Sequence, residues 1–201
     1  SDYKVVVAPM LYLLQSGTAE NLQKFVKNGG QLLATYFTGY VDKDTLCYLG
    51  GFPGNGLAEL FGVISEEIDT LYPSDRNSLC FLDGKKWTVY DYAEILRVQD
   101  AQILASYGTD FYEGSAALTV KEWESDTHTG ENGRAYYIAA RVAPEEMGSL
   151  FETMLANAGI AVKDLPGEVE YHQRQGEDTT YEFYLNHGKE KSLIKNVTGR
   201  N

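Results

Sequence analysis

The chain has 201 residues, with 17 Lys and Arg against 29 Asp and Glu, a net charge of −12 at pH 7. That acidity argues against nucleic acid or an anionic membrane surface as a partner, since both need a basic face. Hydrophobic residues at 43 % supply a packed core and argue against disorder.

Val5 to Ala8 is a continuous apolar run, the mark of a strand covered on both faces. Residues 18–28 read as a helix. Thr18 suits the N-cap, Glu20 the first turn and Gly29 the stop, and Ala19, Leu22, Phe25 and Val26 share one face. Residues 31–36 form a second strand. Strand, helix and strand in succession predict a βαβ unit, with a right-handed crossover and a parallel sheet. Residues 38–56 read as a Gly- and Asp-rich loop, 57–61 as a short helix stopped at Gly62, and 65–78 as polar and irregular.

Strands are expected at 79–82 and 87–89 about an Asp83-Gly84 turn, then at 95–98, 102–106 and 116–122. A long turn at 125–133 leads to an apolar strand at 134–140. The second helix spans 144–158, with Pro144 at its first position, Glu145 and Glu146 in the first turn and Gly159 at the stop. Its core stripe is Met147, Leu150, Phe151, Met154 and Leu155. The pattern changes at Leu165-Pro166-Gly167, and alternation over 168–194 predicts a three-strand antiparallel meander, too small a sheet to bury itself.

No cofactor motif accompanies the α/β pattern. The first strand-to-helix connection, residues 9–17, has neither G-x-G-x-x-G nor G-x-x-x-x-G-K-[ST], so the usual phosphate cradles are missing. Phe52-Pro53-Gly54-Asn55-Gly56 reads as a plain turn. A nucleophile is expected on a tight turn after a strand, and the turn after 31–36 holds no cysteine. The two cysteines, Cys47 and Cys80, fit small buried hydrophobes in a reducing compartment. His128, His172 and His187 read as solvated surface residues. No spacing suits a metal, and the acidic clusters Glu66-Glu67-Asp69 and Glu122-Glu124-Asp126 read as solvated loops. No catalytic, cofactor or metal residue is assigned.

No apolar run is long enough to span a membrane, and no signal-peptide pattern opens the sequence. The sequon Asn196-Val197-Thr198 carries little weight without one. The chain opens at Ser1 and enters a strand almost at once, which gives the expectation of a segment of a longer protein.

Several stretches, in order, resemble one known domain. They are Gly29-Gly30-Gln31-Leu32-Leu33-Ala34-Thr35-Tyr36-Phe37-Thr38-Gly39, Gly51-Phe52-Pro53-Gly54, and Leu60-Phe61-Gly62-Val63 with Glu66-Glu67. Tyr3 to Pro9, Gly133-Arg134-Ala135-Tyr136-Tyr137 and Gly167-Glu168-Val169-Glu170 with Phe183 to His187 agree. Together they resemble the trimerisation domain of family 42 glycoside hydrolases, the bacterial β-galactosidases. Phe37 departs from the basic or small polar residue often found there in the family.

The resemblance implies an α/β fold: a flavodoxin-like, class I glutamine amidotransferase-like three-layer sandwich with a mainly parallel sheet, followed by a short C-terminal antiparallel meander. It implies an assembly domain over 1–165 and the start of a C-terminal β domain over 166–201. The domain's role would be to join three subunits near the mouths of the catalytic barrels. The parent would hydrolyse terminal β-D-galactosides with two glutamates in a barrel outside this chain, in the bacterial cytoplasm, without a cofactor.

Aromatic residues gather near the end of the second strand, and such residues are favoured at interface centres. Tyr36, Tyr40, Phe52 and Pro53 are therefore the candidate subunit contact. A flavodoxin-type small-molecule module, or an amidotransferase-like hydrolase using Cys47, are the alternatives.

Overall fold

A computed structural model describes residues 3–44, 46, 51–126 and 131–194. The chain divides into two compact units, Ser1–Ile160 and Ala161–Asn201.

The first unit runs β1 (Val5–Ala8), β2 (Leu13–Leu14), α1 (Thr18–Lys27), β3 (Gln31–Thr35), β4 (Val41–Asp42), α2 (Leu57–Phe61), β5 (Val63–Thr70), β6 (Asn77–Phe81) and β7 (Lys86–Val98). It continues with β8 (Gln102–Tyr107), β9 (Ala116–Trp123), β10 (Gly133–Ile138) and β11 (Ala140–Val142). A 3-10 turn, Pro144–Met147, then leads into α3 (Gly148–Asn157).

The βαβ unit forms as the pattern requires. β1 lies parallel to β3, with Val5 opposite Gln31 and Ala8 opposite Ala34. Between them α1 turns Ala19 and Val26 inward and ends where the Gly29 and Gly30 N–H groups bond back to Val26 and Phe25. β10 can lie close to the end of α1 because Gly133 has no side chain. A Cβ there would run into the Val26 carbonyl.

The mainly parallel sandwich is not what the chain builds. Among the described residues strand outweighs helix, 42 % to 16 %, in a mixed sheet of 9 strands. The order is β1-β3-β10-β9-β8-β6-β7-β11, with β5 on β7. Within it only β1–β3 and β3–β10 pair in parallel. The pairs β10–β9, β9–β8, β8–β6, β6–β7, β5–β7 and β7–β11 are antiparallel. The reason is connection length. A parallel neighbour needs a crossover of a dozen or more residues, whereas short turns such as Asp83-Gly84 return the chain antiparallel.

Three local expectations also change. Residues 63–70 form a strand, β5, where the sequence reads largely as irregular. Residues 87–89 and 95–98 belong to one strand, β7. The helix expected over 144–158 opens as a 3-10 turn.

Side chains alternate between two cores along the central strands. Leu33, Leu79, Trp87, Leu118, Tyr136 and Ile138 pack with Leu150 and Met154 of α3. Leu32, Ala34, Ala135 and Tyr137 pack with Val26 of α1 and with Leu57, Leu60 and Phe61 of α2.

The second unit holds β12 (Val169–Gln175) antiparallel to β13 (Thr180–Asn186). Among the described residues it is a two-strand hairpin rather than a three-strand meander. Lys163 stands 3.6 Å over the Tyr171 ring and donates to Glu182 at 2.7 Å. Among the described residues no helix is long and apolar enough to cross a membrane.

Candidate functional site

The C-terminal ends of β1 and β3 lie side by side, so the segments that follow them meet. After Thr35 the chain turns at Phe37, with φ 60°, and at Gly39, with φ 66°. Both positions are left-handed, which an L residue adopts at a cost and glycine adopts freely. Gly39 is fixed twice over, because a Cβ there would lie 2.7 Å from the Gly54 backbone nitrogen.

Local hydrogen bonds explain why the turn holds. The Thr38 hydroxyl donates to the Thr35 carbonyl at 2.6 Å, and the Thr35 hydroxyl accepts the Met10 N–H at 2.8 Å. The Gly39 N–H donates to the Leu11 carbonyl, the Tyr40 N–H to the Tyr12 carbonyl and the Gly54 N–H to the Gly39 carbonyl. Three chain segments are thereby laced together.

Their rings form one connected group. Tyr12 stacks on Tyr40 with centroids 5.3 Å apart, and Tyr40 meets Phe52 edge-on at 4.9 Å. Phe37 meets Tyr92 of β7 at 5.2 Å and Tyr36 at 5.4 Å, and reaches Tyr40 at 6.3 Å. Edge-on contacts of this kind stabilise beyond what the area they bury accounts for.

Of the four candidate contact residues, Tyr36, Phe52 and Pro53 are buried and Tyr40 is half-buried. Ring contacts bring Tyr36, Tyr40 and Phe52 into one group, with Tyr36 and Phe52 as its foundation, while Pro53 follows Phe52 and accepts the Ala58 N–H of α2. The accessible surface comes from Met10 and Tyr12, 45 % and 44 % exposed, together with the half-buried Phe37, Tyr40 and Tyr92. Met10, Tyr12 and Tyr92 escape a sequence reading because they arrive from other segments. Arg141 and Asp91 form an ion pair beside Tyr36.

Under this surface lies a carboxyl group. Glu94 of β7 is fully buried. Its Oε1 accepts the Phe37 N–H at 2.7 Å and its Oε2 accepts the Tyr137 hydroxyl at 2.8 Å. The Tyr107 hydroxyl donates to the Glu94 carbonyl at 3.0 Å. Burial pushes the Glu94 carboxyl up to about 7, and the bonds from Phe37 and Tyr137 pull the other way. Burial also raises the Tyr137 and Tyr107 hydroxyls. Such a shift often marks a general acid. Here both oxygens are held by the protein itself, so Glu94 reads as a support for the turn. The signal for it is a single carboxylate inside the apolar run Tyr92-Ala93-Glu94-Ile95-Leu96.

The other candidate chemistry stays apart. Gly54 and Gly56 belong to the turn that opens α2, with Gly56 at φ 81°. His172 and His187 are exposed and both contact the Glu170 carboxylate. Cys80 is half-buried on β6. Cys47, His128 and the sequon at Asn196 lie outside the described residues. Among the described residues no three His, Cys, Asp or Glu gather as metal ligands.

Residues 1–161 match the family described as the β-galactosidase trimerisation domain. The chain belongs to that family. It is similar to β-galactosidase Pbg of Clostridium perfringens, with 37 % identity over 96 % of this chain and 28 % of that protein. It is also similar to β-galactosidase BglY of Alicyclobacillus acidocaldarius, with 38 % identity over 92 % of this chain and 27 % of that protein.

Among solved structures, the family 42 β-galactosidase Gan42B of G. stearothermophilus superposes with a TM-score of 0.81 at 34 % identity. It covers 92 % of this chain and 26 % of its own. The β-galactosidase of Bacillus circulans sp. alkalophilus gives a TM-score of 0.82 at 30 % identity, covering 92 % and 27 %. This trimerisation-domain chain thus spans just over a quarter of the relatives it matches.

Proposed function

We propose that the chain is the non-catalytic assembly domain of a larger β-galactosidase, and that its aromatic end is one half of the subunit contact. The family match over residues 1–161 carries the first part of this reading. The parent enzyme hydrolyses terminal β-D-galactosides in a catalytic domain outside this chain, uses no cofactor from this domain and works in the bacterial cytoplasm. Residues 166–201 begin a further β domain, which the hairpin β12–β13 opens.

A ring of three needs two different surfaces on each subunit, because the contact is head to tail. The exposed faces of Met10, Tyr12, Phe37, Tyr40 and Tyr92 suit one of the two. They are aromatic and apolar, held by a buried base, and edged by the Arg141–Asp91 pair. That is the pattern of an interface centre with a charged rim.

Sedimentation equilibrium of the parent enzyme tests the assembly role, with a mass of three subunits expected. A fully active monomer would overturn it.

A further inference from the structure

The Phe37 turn and the Glu94 carboxyl form a unit whose two ends face different surroundings. One end is the half-buried Phe37 ring at the aromatic surface. The other is a carboxyl group in the interior, bonded to the backbone of the same residue at 2.7 Å. We propose that Glu94 is a proton-operated latch. Ionised, it holds the turn at residues 36–39 so that Phe37 and Tyr40 are presented at the aromatic end; protonated, it slackens that hold.

The physical basis is the asymmetry of a hydrogen bond to a charge. A carboxylate accepts the Phe37 N–H more strongly than a neutral acid does. The left-handed Phe37, φ 60°, needs such support because its conformation is unfavourable by itself. Burial brings the proton exchange near neutral pH, with a midpoint of about 7, while both hydrogen bonds favour the charged form.

Among the described residues, few titratable groups face this carboxyl. Tyr137 of β10 donates to Oε2, and Tyr107 of β8 donates to the Glu94 carbonyl. Tyr36 lies in the turn, with Arg141 of β11 and Asp91 of β7 beyond it. On the α2 side the Tyr137 ring packs on Phe61, which is apolar. All three tyrosines are raised above their ordinary value, so they stay neutral while Glu94 titrates.

The latch stands on these contacts alone. Its effect on assembly rests on the aromatic end being the subunit contact, and two measurements keep the claims separate. The first follows the Phe37 amide proton of this chain by NMR from pH 5.5 to 8.5. It is expected to move upfield on acidification, with a midpoint near 7. Glu94→Gln is expected to abolish the titration, since its amide still accepts the Phe37 N–H but does not ionise.

Tyr137→Phe removes one bond to the charged form and is expected to raise the midpoint by about one pH unit, a tenfold change in proton affinity. It keeps the proposal testable if Glu94→Gln fails to fold. A flat Phe37 amide, the same titration in Glu94→Gln, or an unmoved midpoint in Tyr137→Phe would overturn the latch.

The second measurement is sedimentation velocity of the parent enzyme at pH 6 and pH 8. Tighter association at pH 8, lost in Glu94→Gln, supports the coupling to assembly. Equal association at both pH values while the Phe37 amide titrates overturns the coupling and leaves the latch in place. If the parent is a monomer at both pH values, the subunit-contact reading itself fails.

Discussion

The Glu94 carboxylate accepts the backbone N–H of Phe37 at 2.7 Å, across 57 residues of sequence. One bond therefore ties the middle of the longest strand to the turn that carries the aromatic end.

That burial has a stability consequence with a definite sign. In the unfolded chain Glu94 ionises near 4.5, and in the folded chain near 7. Between these values the folded state holds the extra proton, so stability falls as pH rises and levels off above the folded value. The full effect is an order-of-magnitude figure of about 3 kcal/mol. Chemical denaturation of wild type and Glu94→Gln from pH 4.5 to 8 checks it. The stability of wild type relative to the variant is expected to fall by that amount across the window, whereas a constant difference contradicts the burial account.

Two glycines in the left-handed region separate strain from collision. Gly17, φ 82°, has nothing within 4 Å of where a Cβ would stand, whereas at Gly39, φ 66°, a Cβ would meet the Gly54 nitrogen at 2.7 Å. Gly17→Ala is expected to cost about 1 kcal/mol from conformation alone. Gly39→Ala is expected to cost more, about 2–4 kcal/mol, because the neighbouring backbone must move. Urea melts of the two variants compare them directly, and equal losses would contradict the close approach of residues 39 and 54.

The βαβ unit was legible because each of its signals is local: a continuous apolar run, a helix face and stop glycines. Strand direction was not, because it depends on partners. β10 lies parallel to β3 on one side and antiparallel to β9 on the other, and nothing within Gly133–Ile138 distinguishes the two. β5 was missed because its outward positions carry Glu66 and Glu67, while its pairing comes from β7, some thirty residues on. Tyr40 and Phe52 were legible as neighbouring aromatics. Tyr12 and Tyr92 were not, since folding alone brings them to the same place.

The core beneath Tyr137 is a separate test of the packing. Phe61 of α2 is fully buried, with its ring 5.3 Å from that of Tyr137. Phe61→Ala is expected to cost about 3–5 kcal/mol through lost burial and the cavity left behind. A loss below about 1 kcal/mol in a denaturant melt would mean that α2 does not pack on the sheet as described.

The central claim is that the aromatic end joins subunits. Sedimentation equilibrium of the parent enzyme carrying Tyr12→Asp and Tyr40→Asp tests it most directly. Tyr12 is 44 % exposed and Tyr40 half-buried above Phe52, so charges at these positions would have to be buried at the contact. The account predicts a trimer for the wild type and dissociation in the double variant, with the domain still folded by circular dichroism. A double variant that remains a trimer with wild-type affinity would contradict it.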